Sequence, residues 1–405
     1  MDIKPILTTL RRHKTAAALI VLEIALSCAI ICNAVFLINE RITRMDRPSG
    51  LAENELVVLR HAGIGQDDDA QLNARQDLAA LRQLPGVKAA TRVNQVPFNN
   101  SSWNSGINLT PDQKDSSANA TVYLADEGFI DTFGLNLVQG RNFNADEYVD
   151  YTDLRDPGEE RAIPAVLISR ALAEKLFPGQ DPIGKPLYSW GDEPHRVVGI
   201  VDPLIRPNNQ GGPAGAYLSM VLPIRYANGN TVIRTSPERR GEVMKAAIEE
   251  MEKLNPRRVL TTEKTFEEIK ARYYRSDKAM VWLLISVCVA LLVVTAFGIV
   301  GLASFWVQQR TKQIGVRRAL GATRGQVLRY FQTENFLLAS FGIAIGMLGA
   351  YGINQWLMSH YELARLPAIY LPVGAATLWL LGQIAVYGPA RRAASVPPAV
   401  ATRSV

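Results

Sequence analysis

Apolar residues run nearly unbroken through four stretches of the chain, 16–38, 279–305, 335–357 and 369–387. A helix needs about 20 such residues to cross ~30 Å of hydrocarbon, so each predicts a transmembrane helix. Pro372 falls in the first turn of the fourth, where a missing N–H does no harm. Between the first and second runs the pattern changes to short strand-like and 3.6-period segments over 39–278. The pattern predicts an α-helical membrane protein with four transmembrane helices plus a large extracytoplasmic α/β domain inserted between helices 1 and 2.

Within 39–278, Leu56–Arg60 reads as a strand and Ala70–Leu84 as a helix stopped by Pro85-Gly86. Val87–Pro97 is β-rich, and Ser101–Ala118 is a loop or exposed hairpin, given its Ser, Asn, Asp and Gly. Thr121–Leu124 predicts a strand and Glu127–Phe133 a short helix. Val166–Ile168 leads into a helix over Ser169–Phe177, and a strand lies near Arg196–Val201. Pro203–Gly215 reads as a flexible loop. Glu238–Leu254 predicts an amphipathic helix with Val243, Ala247, Ile248, Met251 and Leu254 on one face. Thr265–Lys278 reads as helix running straight into the second span, a rigid stalk.

The polar segments beside the spans are uneven in charge. Residues 1–15, 306–335 and 388–405 hold thirteen Lys/Arg against two acids, Asp2 and Glu334, whereas the whole chain has a net charge of only +6. Positive excess confined to short segments beside span ends is positive-inside topology, which excludes a nucleic-acid-binding face and places both termini in the cytoplasm. The loop Gln308–Tyr330 carries Arg310, Lys312, Arg317, Arg318, Arg324 and Arg329 with no acid, and Ile314, Ala319 and Leu320 can line one side of a short helix within it. Residues 1–14 place Ile3, Ile6, Leu7 and Leu10 at helical spacing before Arg11, Arg12 and Lys14, as in a helix lying on the inner leaflet; a basic tail is the alternative.

Glu23 is a carboxylate inside the first span, which makes it a functional candidate by its cost. A structural hydrogen bond to a neighbouring helix, or snorkelling to the inner surface, would account for it equally. Gly298 and Gly301 in the second span and Gly342 and Gly346 in the third are spaced for close helix approach, within one subunit or between two. Cys28, Cys32 and Cys288 all fall in spans and read as small packing residues, leaving no disulfide framework for the exported domain. The first run is too long for a signal-peptide core, so it reads as a retained anchor. No phosphate loop of the type G-x-x-x-x-G-K-[ST], no H-E-x-x-H, no Cys/His metal pattern and no G-x-S-x-G elbow occurs, so no catalytic, cofactor or metal residues are assigned.

Four blocks carry a family resemblance. Thr311–Thr323 (TKQIGVRRALGAT) resembles the coupling-helix signature of the MacB-type, FtsX-like permeases of ABC transporters, the mechanotransmission family. Pro389–Arg403 is similar to the motif that follows their last span, and Phe129–Phe143 and Val166–Lys185 with Arg196–Val201 are similar to stretches of their outer domain. The family often has glutamates where this chain has Gln309 and Gln313, and MacB itself carries an ATPase on the same chain. The resemblance implies a division into a cytoplasmic amphipathic helix (1–15), first span (16–38), periplasmic α/β domain with stalk helices (39–278), second span (279–305), cytoplasmic coupling loop (306–334), third span (335–357), short periplasmic loop (358–368), fourth span (369–387) and cytoplasmic tail (388–405) in a bacterial inner membrane. It further implies a second permease chain and a separate ABC ATPase subunit that binds ATP and Mg. Ile314, Ala319 and Leu320 would pack in a groove of that subunit, Arg317 and Arg318 would meet its acidic residues, and Gly315 and Gly321 would end or turn the helix. Efflux of a peptide, antibiotic, siderophore or lipid-like compound through a periplasmic adaptor and an outer-membrane channel is the expected task. Lipoprotein release and FtsX-like control of a cell-wall hydrolase are the alternatives.

Overall fold

The computed structural model describes residues 14–63, 69–154, 162–190, 193–208, 212–361 and 365–397. The amphipathic helix expected over 1–14 and the end of the C-terminal tail therefore lie outside the described residues, apart from Lys14. The chain divides into two units, Met1–Met45 with Ser276–Val405, and Asp46–Arg275.

The first unit contains four helices long and apolar enough to cross a membrane: Lys14–Met45, Arg275–Gln309, Arg324–Tyr361 and Tyr370–Ala394. Each continues past at least one end of its apolar run, because backbone hydrogen bonding does not stop where the hydrocarbon does and the flanking Arg, Gln and Glu residues favour helix. The first helix is central, with 61% of its apolar window buried, while the second is peripheral, with 17%. Gly342 and Gly346 of the third helix lie directly on the first. A Cβ at Gly342 would come within 2.9 Å of the Val21 carbonyl oxygen, and one at Gly346 within 2.5 Å of Cys28 Cβ. This close approach lets Ile24, Cys28, Ile31, Leu338 and Ile343 form one apolar core. Gly374 of the fourth helix makes the same allowance for Cys32 Sγ. Hydrogen bonds stitch the helices together where polar groups are buried. Ser27 Oγ and Thr295 Oγ1 lie 2.8 Å apart, and Asn33 Nδ2 donates to the Ala350 carbonyl at 3.1 Å.

The second unit reads, in order, β1 (Leu56–Gly63), α1 (Ala70–Gln83), β2 (Val87–Val93), β3 (Asn104–Ile107), β4 (Ala118–Leu124), α2 (Phe129–Phe133), β5 (Leu137–Gly140), β6 (Val149–Asp150), β7 (Ala165–Ser169), α3 (Arg170–Leu176), β8 (Pro186–Leu187), β9 (His195–Val201), β10 (Ser219–Leu222), β11 (Ile224–Arg225), β12 (Asn230–Thr235), α4 (Arg240–Leu254), β13 (Arg258–Thr265) and α5 (Phe266–Tyr273). One antiparallel sheet has the order β13-β1-β12-β2. With α1 and α4 it forms a split βαβ pair, built from the beginning and end of the unit. Everything from β3 to β11 is inserted between its second and third strands. Leu78 and Leu81 of α1 and Val243, Ala247 and Met251 of α4 cover Val57, Leu59 and Ile233 of this sheet. Leu254, placed on the apolar face by its spacing, is instead 43% exposed at the end of α4. The inserted sheet has the order β3-β4-β10-β7-β9-β5, with β8 on β9, and packs α3 against Val122, Val166, Ile168 and Met220.

The continuous stalk expected over Thr265–Lys278 is interrupted. A capping box between Thr265 and Glu268 starts α5, and the helix stops at Tyr274, whose backbone leaves the helical conformation. Tyr274 is 3% exposed. Its ring and those of Phe266 and Tyr273 surround Phe98, at centroid distances of 5.5 to 5.9 Å. Packing on Phe98 therefore competes with helix continuation at this residue and wins.

Candidate functional site

The basic loop forms a compact hairpin with defined caps. After the second long helix ends at Gln309, a short helix runs Thr311–Ala319. It closes in a Schellman turn. Gly321 N–H donates to the Arg318 carbonyl at 3.1 Å, and Ala322 N–H to the Arg317 carbonyl at 3.0 Å. Gly321 adopts φ +97°, which a residue with a Cβ enters only with strain. Thr323 and Gln326 then cap each other to start the third long helix, Thr323 Oγ1 accepting from Gln326 N–H and Gln326 Oε1 from Thr323 N–H. Gly321 lies just past the end of the short helix. Gly315 lies buried in mid-helix.

The base of the hairpin is held by an ion pair. Arg310 Nη1 donates to both carboxylate oxygens of Glu334, at 3.1 and 2.9 Å. Arg310 is 8% exposed and Glu334 1%. The guanidinium also lies over the face of the Trp306 ring, whose π-cloud attracts a cation. Arg310 is therefore engaged inside the protein and does not belong to the outward charge. Arg318 is turned inward too, its Nη1 donating to the Ala394 carbonyl at the end of the fourth long helix, where the helix dipole favours a cation. Arg317 covers the Tyr330 ring at 5.2 Å.

The apolar stripe is divided between two faces. Ile314 is 6% exposed and packs with Val327 and Phe331 of its own unit. Leu320 is 83% exposed, Ala319 is exposed, and Val316 is 49% exposed. Val316 is not among the contact residues expected from the sequence; its i,i+4 spacing to Leu320 is the signal that identifies it. Lys312, Arg317, Arg324 and Arg329 are exposed in the same hairpin and the start of the helix that follows it. A groove of about 310 Å³ lies between the short helix and the third long helix, lined by Gln313, Ile314, Arg317, Gln326, Val327 and Tyr330 among others. The arrangement presents exposed apolar side chains and exposed cations on one hairpin, pinned at its base.

A second charged junction lies at the other end of the second long helix. Arg41 and Arg44 of the first helix both donate to Asp277, Arg41 at 2.5 Å, and Asp277 is 7% exposed. Asp277 and Arg310 bracket the second long helix, which places them about 50 Å apart at the rise of an α-helix. That helix is thus tied by charge near both ends, while its middle is largely exposed.

Of the remaining site residues, Gly342 and Gly346 serve packing within the chain, as described. Gly298 faces Glu23, where a Cβ would collide with the carboxylate oxygens, and Gly301 has open space around it. In the second unit, burial pushes the Asp126 carboxyl up to about 7 despite Arg82 nearby. His61 is lowered to about 4 by burial and by the charges of Arg258 and Arg92.

Residues 17–253 match the family model of the MacB-like periplasmic core domain, and residues 285–398 that of the FtsX-like permease C-terminal region. The macrolide export ATP-binding/permease protein MacB of Mannheimia succiniciproducens is 24% identical over 402 residues, which cover 96% of this chain and 58% of that protein. The protein of the same name from Agrobacterium fabrum is 27% identical over 334 residues, covering 78% and 48% respectively. Among solved structures, the periplasmic region of MacB from Actinobacillus actinomycetemcomitans aligns with 56% of this chain and 97% of its own, at 15% identity and a TM-score of 0.35. The chain spans about half the length of the curated relatives it matches. Because one family model covers more than half of its residues and a second covers the membrane helices that follow, the chain belongs to the MacB-like, FtsX-type family of ABC transporter permeases.

Proposed function

We propose that this chain is the force-transmitting permease subunit of a bacterial inner-membrane ABC transporter, with both termini and the basic hairpin in the cytoplasm. A separate ABC ATPase subunit binds ATP and Mg, and its closure moves the helix Thr311–Ala319. The observation that supports this most directly is the exposed pair Val316 and Leu320, in a hairpin that also exposes Lys312, Arg317, Arg324 and Arg329 and is fixed to its own bundle through Arg310 and Glu334. An apolar anchor accompanied by cations suits an acidic groove, with steering from the charges and affinity from the anchor. A knob pinned at its base passes displacement into the second and third long helices. Two permease chains embedded in lipid would pair with two ATPases. The outer α/β unit would hand a peptide, antibiotic, siderophore or lipid-like compound to a periplasmic adaptor and an outer-membrane channel.

The test is affinity purification of the chain in mild detergent, with every co-purifying protein identified. A protein bearing a G-x-x-x-x-G-K-[ST] loop is expected in the eluate. Leu320→Asp combined with Arg317→Glu should lower its recovery by roughly tenfold, about the loss of one good anchor, while the permease itself is inserted and recovered normally. Equal recovery with the variant, or no such protein at all, would overturn the reading.

A further inference from the structure

Glu23 occupies an unusual position for a carboxylate. It lies about 13 Å along the first helix from Lys14, at the helical rise per residue. Its side chain is half-buried at the seam between the first and second long helices. The carboxylate rests on the bare backbone of Gly298, close enough that any side chain there would displace it. Neither a hydrogen bond nor an ion pair reaches it from the described residues. One turn further on, Ser27 and Thr295 satisfy each other at 2.8 Å and offer it nothing. A structural hydrogen bond to a neighbouring helix, one of the two ordinary explanations for such a residue, is therefore absent among the described residues.

A carboxylate at this depth is costly unless a proton or a cation neutralises it. No Lys or Arg occurs in 16–38, 279–305, 335–357 or 369–387, and among the described residues no cation pairs with Glu23. Near Glu23 and Gly298 in sequence, each helix carries exposed apolar side chains: Leu22 and Leu26 on the first are 57% and 55% exposed, and Val294 and Phe297 on the second are 59% and 73% exposed. We propose that Glu23 and Gly298 form the floor of a lateral binding site for a lipophilic amine. Its ammonium group donates to the Glu23 carboxylate, and its hydrocarbon lies along Leu22, Leu26, Val294 and Phe297. Gly298 supplies the room in which the ion pair forms. A phospholipid headgroup amine stays at the interface, whereas Glu23 lies about 10 Å inside the start of the apolar run, so the occupant is a single-chain amphiphile able to enter the hydrocarbon. Binding of this kind needs no ATPase and is separable from the force-transmission reading.

The experiment uses the full-length chain in phosphatidylcholine nanodiscs without nucleotide. The probe is dodecylamine carrying a photoreactive diazirine on its alkyl chain, and the control is dodecanol with the same group. In the wild type the amine should label peptides of the first and second long helices flanking Glu23 and Gly298. Glu23→Gln, nearly isosteric, should lower that labelling about tenfold, as expected for losing one charge-assisted hydrogen bond. Gly298→Ala, which drives the carboxylate from its seat, should lower it as well. Dodecanol should label all three proteins equally. Amine labelling that is the same in wild type and Glu23→Gln, or no stronger than dodecanol labelling in the wild type, overturns the proposal. So does loss of labelling by both probes in the Gln variant.

Discussion

Glu334 in the membrane unit and Asp126 in the outer unit are both buried acids, 1% and 6% exposed, yet the protein treats them differently. Glu334 receives two short contacts from Arg310, so ionisation is compensated on the spot. Asp126 has Arg82 no nearer than 3.6 Å and accepts a single hydrogen bond from Thr91 at 3.2 Å. The contrast does not follow from the solvent outside, since Asp77 in the same outer unit is held by Arg92 at 3.0 Å and Arg258 at 2.5 Å. What separates the cases is the number of cationic donors in direct contact. Where donors converge, a buried carboxylate works as a pin; where they do not, it carries an uncompensated desolvation cost.

The sharpest way to break this contrast is to remove the acid from the better pin. Glu334→Ala leaves the Arg310 guanidinium buried without its counterion, and should destabilise the membrane unit by about 3–5 kcal/mol. Thermal unfolding of the detergent-solubilised chain measures the loss. A double-mutant cycle with Arg310→Met should recover a large part of it, because the second change takes away the orphaned charge. If the two single variants and the double variant were additive, the pin would have no energetic content.

Asp277 occupies the middle ground. Two arginines reach it, but their side chains keep 31% and 29% exposure against 10% for Arg310 in the inner pair. Water screens part of the attraction, so Asp277→Asn should cost about 2 kcal/mol, between the values for exposed and buried pairs. Added salt should narrow the difference between Asp277→Asn and wild type, yet hardly change the deficit of Glu334→Ala. Equal salt sensitivity at the two ends of the second helix would remove the distinction.

These pins show where sequence reading stops. The four spans are legible because hydrocarbon demands a long apolar run, and the basic hairpin because its six cations have no acid among them. Arg310 is one of those six cations, but nothing in the spacing says that it turns inward; only the hairpin geometry brings it to Glu334. The Arg41–Asp277 contact joins positions far apart in the chain and has no local signal at all. In the outer unit β1, β2 and β9 are readable from their apolar runs. The central strand β12 is not, because its place between β1 and β2 is decided by pairing across a long insertion. The stalk misleads because the residues on both sides of Tyr274 favour helix, and the break depends on Phe98, far away in sequence.

Asp126 offers the smallest effect and one of opposite sign. Burial raises its carboxyl from 3.8 to about 7, with Glu127 adding to the shift and Arg82, Thr91 and Arg92 opposing it. The folded unit therefore holds a proton between pH 4 and pH 7 that the unfolded chain has released. Stability contributed by the neutral acid is present below the unfolded value, declines as pH rises, and is gone above the folded value. Asp126→Asn stays neutral throughout and still offers Thr91 an oxygen, while giving up the attraction to Arg82. At pH 8 it should melt higher than wild type by roughly 2–4 °C, on the order of 1 kcal/mol for a unit of this size. At pH 5, where most wild-type molecules already carry the proton, the two should melt together. A variant that is less stable than wild type at pH 8 would mean that Arg82 compensates Asp126 as fully as Arg310 compensates Glu334, and that counting donors in contact is the wrong measure of a pin.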